Sequence, residues 1–176
     1  MGSYVTRLAL EKGYYVRGID KCTYASRKEP LLKEFSDYKN FYFEQKDICN
    51  INSLFDCDYF VNTAAETHVG NSIIESNTFM HSNVDGDYSI LQAFKNYKLE
   101  GNKRPIFFHF STDEVYGDIN DGSFKETDIL KPSNPYSATK AAADQLILAW
   151  ARTYDLPYVI VRPTNNYGIG QYTEKL

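Results

Sequence analysis

Cysteine is scarce in this chain of 176 residues: there are three, Cys22, Cys49 and Cys57, and no two form a CxxC pair. An odd count without paired spacing argues against a disulfide framework or a zinc site and for thiols kept in a reducing compartment. Long apolar runs are missing too. No stretch approaches the ~20 residues of a membrane helix, and no basic segment followed by an apolar core marks an export signal. These absences give a cytoplasmic protein with no membrane partner. Basic excess is also absent: 19 Lys and Arg stand against 23 Asp and Glu, for a net charge of −4. The cations are scattered among acids, which leaves no footprint for nucleic acid. Repeats, low-complexity tracts and Gly/Ser linkers are lacking. What is present, 43% hydrophobic and 24% charged residues, suits one globular domain over residues 1–176, long enough to bury a sizeable core.

Short apolar runs alternate with longer amphipathic stretches. Tyr14 to Ile19, Phe41 to Phe43, Tyr59 to Asn62, Ile106 to Phe110 and Tyr158 to Val161 read as strands. Tyr4 to Glu11, Pro30 to Phe35, Asn83 to Tyr97 and Ser137 to Tyr154 read as helices. Alternating β and α units with β-branched and aromatic strands predict an α/β fold, a Rossmann-like doubly wound parallel sheet covered on both faces. Ligands of such sheets bind beyond the carboxyl ends of the strands. There the chain places Asp20, Asp47, Glu66, Ser111 to Glu114, and Asn165 with Asn166. Polar loops after every strand would explain one or two of these ends, but poorly all five.

Met1-Gly2-Ser3 ahead of an amphipathic helix looks like the tail of a glycine-rich phosphate loop, with Gly2 as the glycine that permits close helix–strand packing. The first strand and first two glycines of such a fold are then absent from the chain. A central strand contributes on the order of 10 kcal/mol of burial, so a longer natural protein, or another filler of that gap, is expected. Asp20 closes the next strand about 20 residues after the loop, where a carboxylate bonds the adenosine ribose hydroxyls and favours NAD over NADP.

Tyr136 and Lys140 stand at i and i+4 on one helix face. A nearby ammonium is expected to lower the tyrosine pKa, making it a base for a hydroxyl proton while hydride leaves the same carbon. Alone the pair is weak, because the chain has fifteen tyrosines; its place after Pro132 and Pro135, past the Ser111-Thr112 strand end, gives it meaning. Thr112-Asp113-Glu114 is sharper. Hydride transfer needs a hydroxyl donor and a base, whereas elimination of water needs one group to take a carbon-bound proton and another to protonate the leaving hydroxyl. Adjacent carboxyls push their pKa values apart and suit both tasks.

Ser111 to Gly117 (STDEVYG), Tyr136 to Lys140 (YSATK), Ala64 to Ile73 (AAETHVGNSI) and Arg162 to Leu176 (RPTNNYGIGQYTEKL) resemble the dTDP-glucose 4,6-dehydratase family of extended short-chain dehydrogenase/reductases. The resemblance implies that Tyr136, with Lys140 and Thr112, oxidises the sugar's fourth carbon against NAD. It implies that Glu114 takes the proton from the fifth carbon and that Asp113 protonates the hydroxyl leaving the sixth. Cofactor positions implied are Met1, Gly2, Asp20, Lys21, Cys22, Thr23, Asp47, Ile48, Thr63, Ala64, Ala65, Glu66, Thr67, Ser82, Tyr136, Lys140 and Asn166. Substrate positions implied are Thr67, Thr112, Asn165, Lys175 and Leu176.

The chain departs from the family pattern at Gly70, Asn71 and Ile169, and it stops at Leu176 where the family continues into a second lobe that holds the base. Poor turnover by this chain alone is therefore expected. A 4-epimerase, a dehydratase for a UDP- or GDP-linked sugar, and a non-catalytic NAD-binding module are the other readings. His68, His81 and His109 lack metal-ligand spacing, so no metal is expected. Ala141, Ala142, Leu146, Ala149 and Trp150 form a stripe expected to face the core. The resemblance implies that this helix and the one from Asn83 to Tyr97 build a homodimer.

Overall fold

A computed structural model describes residues 1–97 and 104–172. Its elements run α1 (Gly2–Glu11), β1 (Val16–Asp20), α2 (Lys28–Phe35), β2 (Phe41–Gln45), β3 (Tyr59–Asn62), α3 (Val69–Ile74), α4 (Asn77–Phe79), α5 (Gly86–Lys95), β4 (Ile106–Phe110), α6 (Pro135–Tyr154) and β5 (Tyr158–Val161). All strand pairs are parallel, in the orders β1-β2 and β3-β4-β5. The α/β architecture with parallel strands is the Rossmann-like one that the pattern predicts. A single continuous sheet is not present among the described residues: β1 and β3 share no ladder. A doubly wound sheet lacking its first strand divides at this point.

Strands β3, β4 and β5 fall where the sequence places them. β1 starts two residues late because Gly13 turns the chain at φ +82° and leaves Tyr15 90% exposed, outside the strand. Alternation along β3 and β4 puts Phe60, Asn62, Phe107 and His109 on the face that meets the helices, as period-2 geometry demands. Coverage of both faces is incomplete, since Tyr59, Val61, Tyr158 and Val159 stay exposed. The core joins Ile48 and Ile51 after β2, Ile90, Leu91 and Phe94 of α5, Phe107 of β4 and Ile147 of α6. Phe60, Phe94 and Phe107 pack ring to ring at 5.2–6.0 Å. No helix of the described residues is long and apolar enough to cross a membrane.

Two departures in the helices matter for the site. The helix expected from Asn83 to Tyr97 opens instead as a π-turn over Met80–Asp85 that runs into α5. Asn83 is fully buried there; its amide donates to Glu66 O (2.9 Å) and Thr139 Oγ1 (3.0 Å) and accepts from Glu66 N (2.9 Å). Anchoring at that depth accompanies one widened turn, a feature that recurs at functional sites. On α6 the expected apolar stripe is shifted: Ala141, Ala143, Asp144 and Ile147 are buried, whereas Ala149 is exposed and Ala142, Leu146 and Trp150 are half-buried. Polar groups share the buried face, so an apolar pattern alone misplaces it.

Candidate active site

Helix α6 begins with Asn134 as N-cap and Pro135 in the first turn, where its missing N–H costs nothing. The Asn134 side chain accepts from Ser137 N (2.9 Å), while Ser137 Oγ and Asn134 N are 3.2 Å apart, closing a capping box. Tyr136 is thereby set in the first turn, and its own N–H donates to Ser72 Oγ on α3 (3.2 Å).

Beyond β4 the chain makes one 3₁₀ turn, Asp113–Tyr116, capped by Thr112, whose hydroxyl accepts from Glu114 N at 3.3 Å. Gly117 closes it at φ +87°, where a Cβ would run into the Lys131 carbonyl oxygen. The two segments are tied together: Asn134 Nδ2 donates to Glu114 Oε2 (3.3 Å) and the Thr112 hydroxyl is hydrogen-bonded to the Tyr136 phenol. Thr112, Asp113, Glu114 and Tyr136 therefore share one locus at the carboxyl end of β4.

The electrostatics there differ from the sequence expectation. Burial above all, with Thr112 opposing it and the carboxylates of Glu114 and Asp113 adding to it, holds the Tyr136 phenol up at about 12. The lowering expected from Lys140 is absent because the ammonium turns away: it donates to Phe110 O (2.9 Å) and stands 3.2 Å from His109 Nε2. Spacing of i and i+4 fixes the helix face but not where a four-carbon stem delivers its charge.

A second locus gathers at the ends of β1 and β2. Asp20 accepts from Cys22 N (2.6 Å), with Cys22 in the left-handed region at φ 59°. Lys21 Nζ donates to Ser82 Oγ (2.6 Å) and lies 3.9 Å from Asp47 and 3.8 Å from Glu66. Ile48 is 9% exposed and belongs to the core, so its backbone is what a ligand would meet. Gly2 comes so near the loop that follows β3 that a Cβ would stand 2.7 Å from Thr63 Oγ1. Ala64 donates its N–H to Asn62 Oδ1 (3.1 Å), which shapes the Thr63 to Thr67 loop; Ala65 lies in the same half-buried stretch. Met1 and Thr23 are exposed at the rim.

Asn165 and Asn166 are not drawn into either locus. Both are exposed, and Asn166 Nδ2 donates to Thr164 O of its own loop (2.8 Å). Lys175 and Leu176 lie outside the described residues. A cavity of about 600 Å³ lined by Glu126, Ile129, Leu130, Ala142, Gln145 and Leu148 among others holds none of Thr112, Asp113, Glu114 and Tyr136.

Sequence reasoning missed three things. Asn134 before Pro135 is a readable N-cap signal. His109, with no metal expected of it, lies fully buried against Lys140, a pairing that no local pattern marks. His81 is brought beside Asp47 and Cys49, with one ligand atom of each within 4.8 Å of the others. That trio is held by its own bonds: Cys49 Sγ donates to His81 O (3.3 Å), and burial with Asp47 alongside pushes its thiol up to about 12.

The profile of a family described as GDP-mannose 4,6 dehydratase matches residues 1–175. The chain belongs to this family. A dTDP-glucose 4,6-dehydratase of Haemophilus influenzae is 41% identical over 92% of the chain and 51% of the relative. The chain thus spans about half the length of the relatives it matches. Among solved structures, a Streptomyces venezuelae dTDP-glucose 4,6-dehydratase with NAD bound superposes with a TM-score of 0.90 at 34% identity, covering 99% of this chain and 56% of that one. A Bacillus cereus UDP-glucuronic acid 4-epimerase, also with NAD, reaches 0.79 at 26% identity, covering 92% and 52%. Both neighbours carry NAD, and they divide between loss of water and inversion of a hydroxyl.

Proposed function

We propose that residues 1–176 are the NAD-binding domain of a nucleotide-sugar 4,6-dehydratase that converts dTDP-glucose to its 4-keto-6-deoxy product. The observation that carries this reading is the Thr112-Asp113-Glu114 turn clasped to Tyr136 through Asn134: two carboxyls and a phenol at one strand end are what elimination of water requires and simple hydride transfer does not.

Gly2 and the Thr63 to Thr67 loop form the close approach that suits a pyrophosphate, with Asp20, Lys21, Cys22 and Thr23 around the ribose, Asp47 and Ile48 at the base, and Ser82 and Tyr136 towards the nicotinamide. When bound, NAD would supply the acceptor for the hydride that leaves the fourth carbon as the ketone forms and the donor that returns it to the sixth carbon after water has left, so that the 4-keto-6-deoxy product differs from the substrate by one water. Tyr136 takes the proton of the sugar's 4-hydroxyl, with Thr112 holding that oxygen. Glu114 then removes the proton at the fifth carbon, acidified by the neighbouring ketone, and Asp113 delivers a proton to the departing 6-hydroxyl, so that water leaves. Thr67 and Asn165, with Lys175 and Leu176, would contact the sugar nucleotide. We place the protein in the cytoplasm, in keeping with three free thiols, and as a homodimer through α5 and α6, where Tyr88 and Leu148 are exposed.

The test is incubation of the purified full-length protein with NAD and dTDP-glucose, read by mass spectrometry. Loss of one water with a new ketone is the expected result. Inversion at the fourth carbon without water loss favours the epimerase reading, and turnover of UDP- or GDP-sugars alone moves the substrate. NAD binding with no turnover of any nucleotide sugar favours a non-catalytic module.

A further inference from the structure

Strand β5 lies at the edge of the β3-β4-β5 sheet, yet the chain that leaves it comes to rest on the other half of the molecule. Its course is fixed at the start by Asp113, whose backbone N–H donates to Pro163 O (3.2 Å). At the far end the Tyr4 hydroxyl of α1 donates to Ile169 O (2.9 Å). Gly168 passes the same residue so closely that a Cβ would stand 3.4 Å from Tyr4 Oη. A turn follows, in which Gln171 N donates to Gly168 O (3.1 Å) and the Gln171 side-chain oxygen accepts from Gly168 N (3.3 Å). Within it Gly170 takes φ +85°, where a Cβ would run into the Arg27 guanidinium just ahead of α2. The Tyr172 ring then meets Tyr24 edge to face, with centroids 5.5 Å apart. Residues 162–172 therefore form a strap along the carboxyl ends of the strands, from the Thr112 to Glu114 turn to α1 and the loop after β1. They span the gap where, among the described residues, no ladder joins β1 to β3. Ligands of parallel sheets bind at that edge.

We propose that this strap retains the bound dinucleotide and that Tyr4 and Tyr24 are the positioning residues that fasten it. The inference rests on the NAD reading and deepens it. Both fastenings are sequence neighbours of the cofactor positions: Tyr4 follows Gly2 by two residues, and Tyr24 comes directly after Thr23. A strap held at those two points lies across the way out for a pyrophosphate at Gly2 and a ribose at Asp20 to Thr23. Asn165 and Asn166 belong to the same segment, so its fastening also sets where they stand relative to a nucleotide. The hold is light. Tyr4 is 46% exposed, Tyr24 55% and Tyr172 41%, so little apolar surface is hidden, and each point contributes on the scale of one hydrogen bond or one aromatic pair. The strap thus opens without unfolding the domain, and release of NAD waits on that opening.

The test is the rate at which the full-length protein releases NAD, followed by chasing the bound cofactor with an excess of a fluorescent etheno-adenine analogue. No sugar enters the measurement, so it stands apart from the dehydratase reaction. Tyr4→Phe removes only the hydroxyl that holds Ile169 O and is expected to speed release roughly fivefold. Tyr24→Ala is expected to speed it roughly threefold, whereas Tyr24→Phe keeps the ring edge and should release NAD at the original rate. Both tyrosines lie at the surface, so these substitutions leave the fold intact, and the melting temperature of the NAD-free protein should not move with the release rate. With NAD still bound, unchanged release in either Tyr4→Phe or Tyr24→Ala overturns the strap and leaves the dehydratase reading standing. Equal acceleration in Tyr24→Phe and Tyr24→Ala overturns the ring contact as a fastening. Failure of the full-length protein to bind NAD at all overturns the strap and the cofactor reading together.

Discussion

Tyr136 carries a conflict between place and task. Its phenol is raised to about 12 by burial and two carboxylates, yet the proposed reaction needs it as a base. Turnover should therefore rise with pH, because the phenolate fraction grows as pH approaches that value, and Tyr136→Phe should remove both the slope and at least about a hundredfold of kcat. Glu114→Gln is expected to permit oxidation at the fourth carbon while stopping loss of water, seen as an absent dehydrated mass with sugar oxidation intact. Two thiols act on stability rather than chemistry. Burial pushes Cys49 to about 12 and Cys57 to about 11 from an ordinary 9.0. Each raised group stabilises the fold fully below pH 9, where both states hold the proton. That contribution is lost as pH climbs through the folded value, because the unfolded chain has already released its proton. Melting temperature should fall between about pH 9 and pH 12, and less steeply in Cys49→Ala.

At the scale of the element, the N-terminus of α6 joins stability to function. Asn134 caps the helix and also holds Glu114, whereas Ser137 only completes the cap. Asn134→Ala should cost about 1 kcal/mol in chemical denaturation and lower kcat as well; Ser137→Ala should weaken the fold without comparable loss of kcat at saturating substrate. Legibility follows the same division between local and distant causes. Strands β3, β4 and β5 match the apolar runs to the residue because their ends are marked by Asp58, Asn62, Pro105, Ser111 and Pro157, all local signals. The Thr112 to Glu114 turn and Tyr136 were legible for a similar reason, since a short turn and a helix start fix them from adjacent residues. The π-turn was not, because Asn83 is anchored by Glu66 and Thr139 from remote parts of the chain. Nor was the direction of Lys140, which is decided by His109 and Phe110 on a different strand.

For the molecule as a whole, the divided sheet sets the expected behaviour. Among the described residues β4 is bonded on both sides, whereas β1 and β3 each have a partner on one side only. The halves are joined instead by side chains: Ile19 of β1 packs against the cluster of Ile48, Ile90, Leu91 and Phe107, and Gly2 of α1 lies against Thr63 beyond β3. Side-chain contact without a shared ladder is a weaker coupling, since backbone groups at a sheet edge find their partners in water. Calorimetry of the 176-residue chain should thus give a calorimetric enthalpy above the van't Hoff value, with β1-β2 lost before β3-β4-β5, and hydrogen exchange should be slowest in Ile106 to Phe110. A strand laid between β1 and β3 would complete the hydrogen bonding and bury on the order of 10 kcal/mol of apolar surface, comparable to the entire stability of a domain. Coincident enthalpies in the unaided chain would show that the core alone binds the halves into one cooperative unit, with no need of a strand between β1 and β3.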